Sequence, residues 1–338
     1  MSNRIPILAV VGPTASGKTG LGVALAKAFH GEVLSFDSMQ LYKGMDVATA
    51  KPTPEEMQGI PHHMISQIEP TDRYSVARYQ EDAGRIVEEI VRRGKRVIMV
   101  GGTGQYIDAF LQNLHFLDGE ETGPVRARLR QELEEQGMDF LFQRLQELDP
   151  ETAARLNKNN AGRVLRALEV YETTGHTISY QVAQSKKEPS PYKPFYIGLT
   201  AKDRNYLYDR INRRVDLMLE QGLLEEAELF YETYGKGSST GAAAADGTDR
   251  TAAQAIGLKE MVPYLEGTAS LNDCVAHLKQ VTRNYAKRQL TWFRRNPEVH
   301  WLEIDRFSSS EELYREAVRL VTEAAFFETE KREENGDE

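Results

Sequence analysis

The chain has one cysteine, Cys274, among its 338 residues. A single thiol excludes an internal disulfide framework, and no Cys/His pairs stand at the spacing of a structural zinc site. It fits a reducing compartment, so the expected location is the cytoplasm. No apolar run reaches membrane length. The opening stretch "MSNRIPILAVVG" has no small-residue cleavage site, so neither a membrane span nor a targeting signal is read. Positive charge is also short, with a net charge of −9. That deficit argues against a polyanionic partner until it is divided along the chain.

From Glu303 to Glu338 there are twelve acidic and five basic residues, which leaves the remainder nearly balanced. Residues 306–338 are therefore expected to be an acidic, solvated helix that frays into disorder. Elsewhere the balance reverses. Lys279 to Arg295, "KQVTRNYAKRQLTWFRR", holds six Lys/Arg and no carboxylate, and Ala154 to Arg214 holds twelve basic against five acidic residues. Polyanion contacts are expected there.

Five runs read as strands: "ILAVVG", "EVLSFDS", "RVIMVGG", "FYIGLT" and "VHWLEID". Helical patterns alternate with the first three. The order predicts an α/β fold of the P-loop, kinase-like kind: a parallel sheet flanked by helices, built from residues 1–117 and 195–305. Between them, residues 118–194 read as helices only, too long for a crossover, and predict an all-helical insertion. The stretch "GKGSSTGAAAADGTDR", Gly235 to Arg250, reads as a low-complexity loop.

Gly12, Pro13, Thr14, Ala15, Ser16, Gly17, Lys18 and Thr19 match G-x-x-x-x-G-K-[ST] in full, with a strand before and a helix after. Backbone N–H groups from Ala15 to Thr19 can converge on phosphate oxygens at the helix N-terminus. Lys18 would neutralise the outer phosphate, and Thr19 would offer its hydroxyl to Mg²⁺. The third strand lacks a terminal acid, and Asp37 at the end of the second supplies one. The expected ligand is therefore any compound with a diphosphate, not a triphosphate alone.

In an open parallel sheet, loops at the carboxyl ends of the strands share one crevice. Asp37 can accept a proton or hold Mg²⁺ there, and Thr103 in "GGTG" would sit beside it. A lone carboxylate without a Ser/His or Cys/His partner points to proton abstraction rather than a covalent intermediate. After the fourth strand, Arg204 and Arg210 are candidates to close over the phosphates. Arg213 and Arg214 read better as a solvated helix face. His62 and His63 are adjacent and lack a third ligand, which disfavours metal binding.

The motifs "GPTASGKT", "DSMQLY", "PHH", "GGTGQY", "NNAGRVLRALEV", "QAIGLKE" and "YAKRQLTWFR" occur in the order found in the tRNA dimethylallyltransferases, also called tRNA isopentenyltransferases. The chain resembles that family from its first strand to about Arg295, with Gln105 where Leu is usual and Leu258 where Tyr is usual. The resemblance implies transfer of a dimethylallyl group from dimethylallyl diphosphate to the 6-amino group of adenosine at tRNA position 37, with Mg²⁺. It implies Asp37 as base, with Lys18, Thr19, Thr103 and Arg204 around the reaction and Arg210 on the diphosphate. It further implies that Ser38, Met39 and Gln40 flank an extruded base. Contacts to the tRNA anticodon arm would come from Arg126, Gly162, Arg163, Val164, Leu165 and Arg166 on the insertion. Gln254, Gly257, Lys259, Lys287, Arg288 and Trp292 would add backbone contacts and stacking, although Trp292 and Phe293 read equally well as core residues flanked by solvated charges. A monomer is expected. A prenyltransferase of free adenine nucleotides, a small-molecule P-loop kinase and a noncatalytic RNA-binding module remain as alternatives.

Overall fold

The computed structural model describes residues 4–72, 74–114, 122–235 and 251–327. Six strands, β1 (Ile5–Val11), β2 (Gly31–Ser35), β3 (His62–His63), β4 (Arg96–Val100), β5 (Tyr192–Thr200) and β6 (Val299–Glu303), form one sheet in the order β3-β2-β4-β1-β5-β6. Every pairing is parallel. The central strands have buried residues along nearly their whole length, as expected where both faces are covered. Val100 pairs with Val10 on one side and Ser35 on the other. The loops that follow β1, β2 and β4 therefore leave the sheet level with one another, at its carboxyl edge.

Helices α1 (Lys18–Ala28), α2 (Pro54–Met57), α3 (Val76–Arg92) and α4 (Gly104–Leu111) belong to the first half. Next come α5 (Thr122–Leu148), α6 (Pro150–Arg155), α7 (Ala161–Thr174) and α8 (Ile178–Ser185). After β5 follow α9 (Arg204–Glu220), α10 (Leu223–Phe230), α11 (Val262–Leu265), α12 (Leu271–Phe293) and α13 (Ser310–Glu323). One core cluster joins Tyr79, Phe110 and Phe293 to Ile7, Leu34 and Met99 of the sheet, and a second joins Leu21 and Leu25 of α1 to Leu8, Ile98 and Ile197. Helices α5 to α8 have a core of their own, which includes Leu129, Leu141, Leu145, Val164 and Leu168. Within α5 the chain turns at Gly137, whose φ of 81° breaks the helical path.

Four features differ from expectation. The sheet has a sixth strand, β3, too short for a periodic signal. It consists of the two histidines, and their side chains serve packing: His63 Nε2 lies 2.7 Å from Glu32 Oε2, and His62 Nδ1 lies 2.8 Å from the Ile60 carbonyl. Arg93 completes the Glu32 cluster, and no cluster of metal-ligating side chains occurs among the described residues. Second, α8 follows α7, capped by the Thr177 side chain on the Tyr180 N–H, in a stretch whose sequence has no helical pattern of its own apart from that of α7. Third, β5 starts at Tyr192, ahead of the expected boundary.

Fourth, the acidic segment is not a solvated tail up to Phe327. Leu313, Ala317 and Val321 repeat every fourth residue, and this stripe lies buried in the same cluster as α1, with the carboxylates turned outward. Net charge outweighed that periodicity in the reading of the sequence. Residues 328–338, the low-complexity stretch from 236 to 250 and the start of the insertion at 118–121 lie outside the described residues. No helix among the described residues is long and apolar enough to cross a membrane.

Candidate active site

The phosphate loop begins where β1 runs out. Gly12 has φ 143°, and a Cβ there would lie 2.6 Å from the Leu199 carbonyl oxygen of β5, so only glycine lets the loop leave between the strands. Ala15 and Gly17 also have positive φ, and α1 starts at Lys18. Among the described residues no backbone carbonyl takes the N–H groups of Ala15, Ser16 or Gly17. They remain available to a ligand at the positive end of α1. Ser16 Oγ and Lys18 Nζ both donate to the Pro13 carbonyl, at 2.8 and 2.7 Å. The Thr14 N–H is already occupied, donating to Gln289 Oε1 at 2.8 Å.

Helix α9 supplies the arginines, though not both of those expected. Arg210 Nε donates to the Ala15 carbonyl at 2.8 Å, as its place in the sequence suggested. Arg204 opens α9 as an exposed residue, and Arg214 takes the inward position, its Nη1 3.5 Å from Thr14 Oγ1. Positions 210 and 214 lie one turn apart and share a face over the loop, whereas 204 is the first residue of the helix. The reading of Arg214 as solvated is thereby corrected; Arg213 does remain exposed.

Burial, then the charge of Arg214, push the Lys18 amine down to about 7, with Asp37 opposing. Burial also lowers Arg214, against the pull of Asp37 and Glu56. Two half-buried cations answered chiefly by one carboxylate leave an unmet preference for an anion.

Asp37 follows β2. Its N–H donates to Ser35 Oγ at 3.3 Å, and its Oδ1 accepts the Met39 N–H at 3.0 Å, which fixes the side chain in a local turn. Thr103 stands beside it: its hydroxyl accepts the Ser38 N–H at 3.1 Å and donates to Ser38 Oγ at 3.3 Å. The Tyr285 hydroxyl of α12 is pushed up, first by burial and next by the negative charge of Asp37. Gln40 is fully engaged within the protein, donating to the Thr49 and Ala50 carbonyls and accepting from Ser35 Oγ. Met39 packs against the core.

Gln289, buried on α12, had no separate part in the sequence reading. Its Oε1 holds Thr14 and its Nε2 donates to the Gly102 carbonyl at 3.0 Å, so one side chain ties the phosphate loop to the loop after β4. Trp292, expected to stack on RNA, lies against Gly104, where a Cβ would collide with the indole. Its Nε1 donates to Asp108 Oδ2 at 2.8 Å, and the Arg295 guanidinium lies 4.1 Å from the ring centroid. Its polar edge and one face are therefore used within the protein.

The remaining expected RNA contacts divide by exposure. Lys287 and Arg288 are exposed beside the rings of Tyr208 and Tyr285, and Gln254 and Lys259 are exposed, whereas Gly257 is buried. On the helical insertion Gly162 and Arg163 are exposed, Val164 is wholly buried and Leu165 packs on the local core, which removes Val164 from any RNA surface. Arg126 and Arg166 both pair with buried Glu169, at 3.0 and 3.1 Å.

A parallel sheet with a glycine-lined phosphate loop, two arginines over it and a carboxylate beside it has the form of a P-loop protein with a cation-lined site at the sheet edge. The chain belongs to the IPP transferase family, whose model matches residues 40–296. It is 44% identical over 319 residues to a tRNA dimethylallyltransferase of Thermoanaerobacter sp. (strain X514), covering 94% of this chain and 98% of that protein. A tRNA dimethylallyltransferase of Bacillus cereus (strain G9842) is 46% identical over 312 residues, 92% of this chain and 94% of that one. Among solved structures, the tRNA isopentenylpyrophosphate transferase of Bacillus halodurans superposes with a TM-score of 0.68 at 40% identity, covering 94% of this chain and 96% of that one. A eukaryotic dimethylallyltransferase studied acting on tRNA gives 0.76 at 29% identity, with 97% and 81% covered.

Proposed function

We infer that the protein transfers a dimethylallyl group from dimethylallyl diphosphate to the 6-amino group of adenosine at position 37 of tRNA and releases diphosphate. The observation that carries this reading is the pairing of a cation-rich phosphate loop with Asp37 and Thr103 at the same sheet edge, in a chain of the IPP transferase family. In the reaction the allylic C–O bond to the diphosphate breaks and a bond from the adenine nitrogen to that carbon forms. One amine proton is lost, and Asp37 takes it.

Lys18, Arg214, Arg210 and the N–H groups of Ala15 to Gly17 grip the diphosphate most strongly as its negative charge develops in the transition state. Ser38, whose N–H and hydroxyl are both bonded to Thr103, would form the wall beside the incoming base. The residues present fit a Mg²⁺ ion: the Thr19 hydroxyl is a hard oxygen donor, and this ion takes most of its shell from phosphate and water. When bound it supplies further positive charge to the leaving group. On the tRNA side, Arg163, Lys287 and Arg288 are exposed cations suited to backbone phosphates. Arg126 and Arg166 would act as a pair held by Glu169.

The test is incubation of the protein with carbon-labelled dimethylallyl diphosphate, Mg²⁺ and either tRNA or AMP. Label in tRNA and not in AMP is expected. Label in AMP alone would replace this reading with a prenyltransferase of free nucleotides.

A further inference from the structure

Glu226 stands in the first turn of α10. Its half-buried carboxylate gathers three consecutive backbone N–H groups from the loop beyond Gln40. Oε2 accepts from Asp46 at 2.7 Å and Val47 at 2.8 Å, and Oε1 accepts from Ala48 at 2.8 Å. Successive N–H groups turned to one side make an anion-binding nest, and an ionised acceptor strengthens each bond. Here the anion comes from about 180 residues further along the chain.

The clasped segment connects back to the candidate base. It continues into Thr49 and Ala50, whose carbonyls both accept from Gln40 Nε2 at 3.3 Å. Gln40 Oε1 accepts from Ser35 Oγ at 3.1 Å, and Ser35 Oγ accepts the Asp37 N–H at 3.3 Å. On its other side Ala48 abuts Gly257, where a Cβ would lie 3.1 Å from that of Ala48, and the Gly257 N–H donates to Glu260 at 2.8 Å. Movement of the segment would free a half-buried carboxylate and disturb the packing on Gly257.

We propose that Glu226 is a positioning residue: its carboxylate fixes residues 46–50 and, through Gln40 and Ser35, holds Asp37 where it takes the amine proton. This rests on the reading of Asp37 as the base. The phosphate loop is not part of the relay, so donor binding and proton transfer should separate.

The full-length chain carrying Glu226→Gln or Glu226→Asp would be compared with wild type in three measurements. These are single-turnover transfer at saturating donor and tRNA, affinity for inorganic diphosphate, and hydrogen exchange at the amides of residues 46–48. Glu226→Gln should lower the single-turnover rate by about ten- to a hundredfold, as sub-ångström to ångström misplacement does. Diphosphate affinity should stay within about twofold, Glu226→Asp should recover part of the rate, and exchange at 46–48 should rise at least about tenfold in Glu226→Gln alone. A rate within twofold of wild type, or a loss of diphosphate affinity equal to the loss of rate, would overturn the proposal. Unchanged exchange at 46–48 would overturn it whatever reaction the protein performs, which separates its failure from that of the proposed function. If Glu226→Gln did not fold, wild-type amides at 46–48 exchanging as fast as open loop would overturn it equally.

Discussion

Replacing Lys18 with Met removes a half-buried cation and keeps the length and apolar stem of the side chain. The hydrogen bond lost is the 2.7 Å contact with the Pro13 carbonyl, which retains Ser16 Oγ at 2.8 Å and is not orphaned. Burial and Arg214 lower the Lys18 amine from 10.5 to about 7. One pKa unit corresponds to about 1.4 kcal/mol, so the charge costs the ligand-free fold on the order of a few kcal/mol. Partial exposure of the side chain and loss of one hydrogen bond, about 1 kcal/mol, reduce that figure. The folded-state pKa lies below the unfolded one, so between pH of about 7 and 10.5 the unfolded chain binds more protons and wild-type stability rises with pH. Lys18→Met lacks that slope. In phosphate-free buffer, because bound anions would stabilise the native state, urea unfolding should show Lys18→Met more stable than wild type by about 1–3 kcal/mol near neutral pH. The gap should narrow towards pH of about 10, and diphosphate affinity should fall by about a hundredfold or more. A variant less stable than wild type at neutral pH, or a gap that does not change with pH, would refute the reasoning.

Asp37→Asn keeps the turn acceptor for the Met39 N–H and removes the base; single-turnover transfer should fall by about a hundredfold or more with tRNA affinity nearly unchanged. Near-normal transfer would exclude Asp37 as the proton acceptor. Arg214→Leu should weaken diphosphate binding at least about tenfold, whereas Arg204→Ala should leave it within about twofold, as isothermal titration would record. The reverse order would place the wrong face of α9 over the loop. Arg163→Ala should reduce the slope of log affinity for tRNA against log salt by about 0.7–0.9, the value of one phosphate contact. An unchanged slope would remove Arg163 from the RNA surface.

The central site was legible because its parts are local. Gly12 to Thr19 needs particular residue types in one tight loop, and Asp37 and Thr103 end strands whose order the βα alternation already implied. What escaped the reading depends on contacts distant in sequence. Gln289 reaches Thr14 across 275 positions and Glu226 reaches Asp46 across 180, and neither has a local pattern to mark it. Arg213 and Arg214 stand together in an arginine-rich run that reads as a solvated face, and only the fold brings Arg214 to Thr14. Trp292 stands in a basic run that suits either stacking on RNA or packing on the protein, and Gly104 makes a place for it on the protein. On the C-terminal segment, charge obscured the four-residue repeat of Leu313, Ala317 and Val321 that docks α13.

The most direct test of the account uses a donor carrying a carbon label in its dimethylallyl group and a phosphorus label in its diphosphate. Incubated with the protein, Mg²⁺ and tRNA, it should deliver the carbon label to the tRNA and release the phosphorus label as inorganic diphosphate in equal amount. Phosphorus label attached to the tRNA would contradict the central claim that the phosphate loop holds a leaving group and does not transfer it.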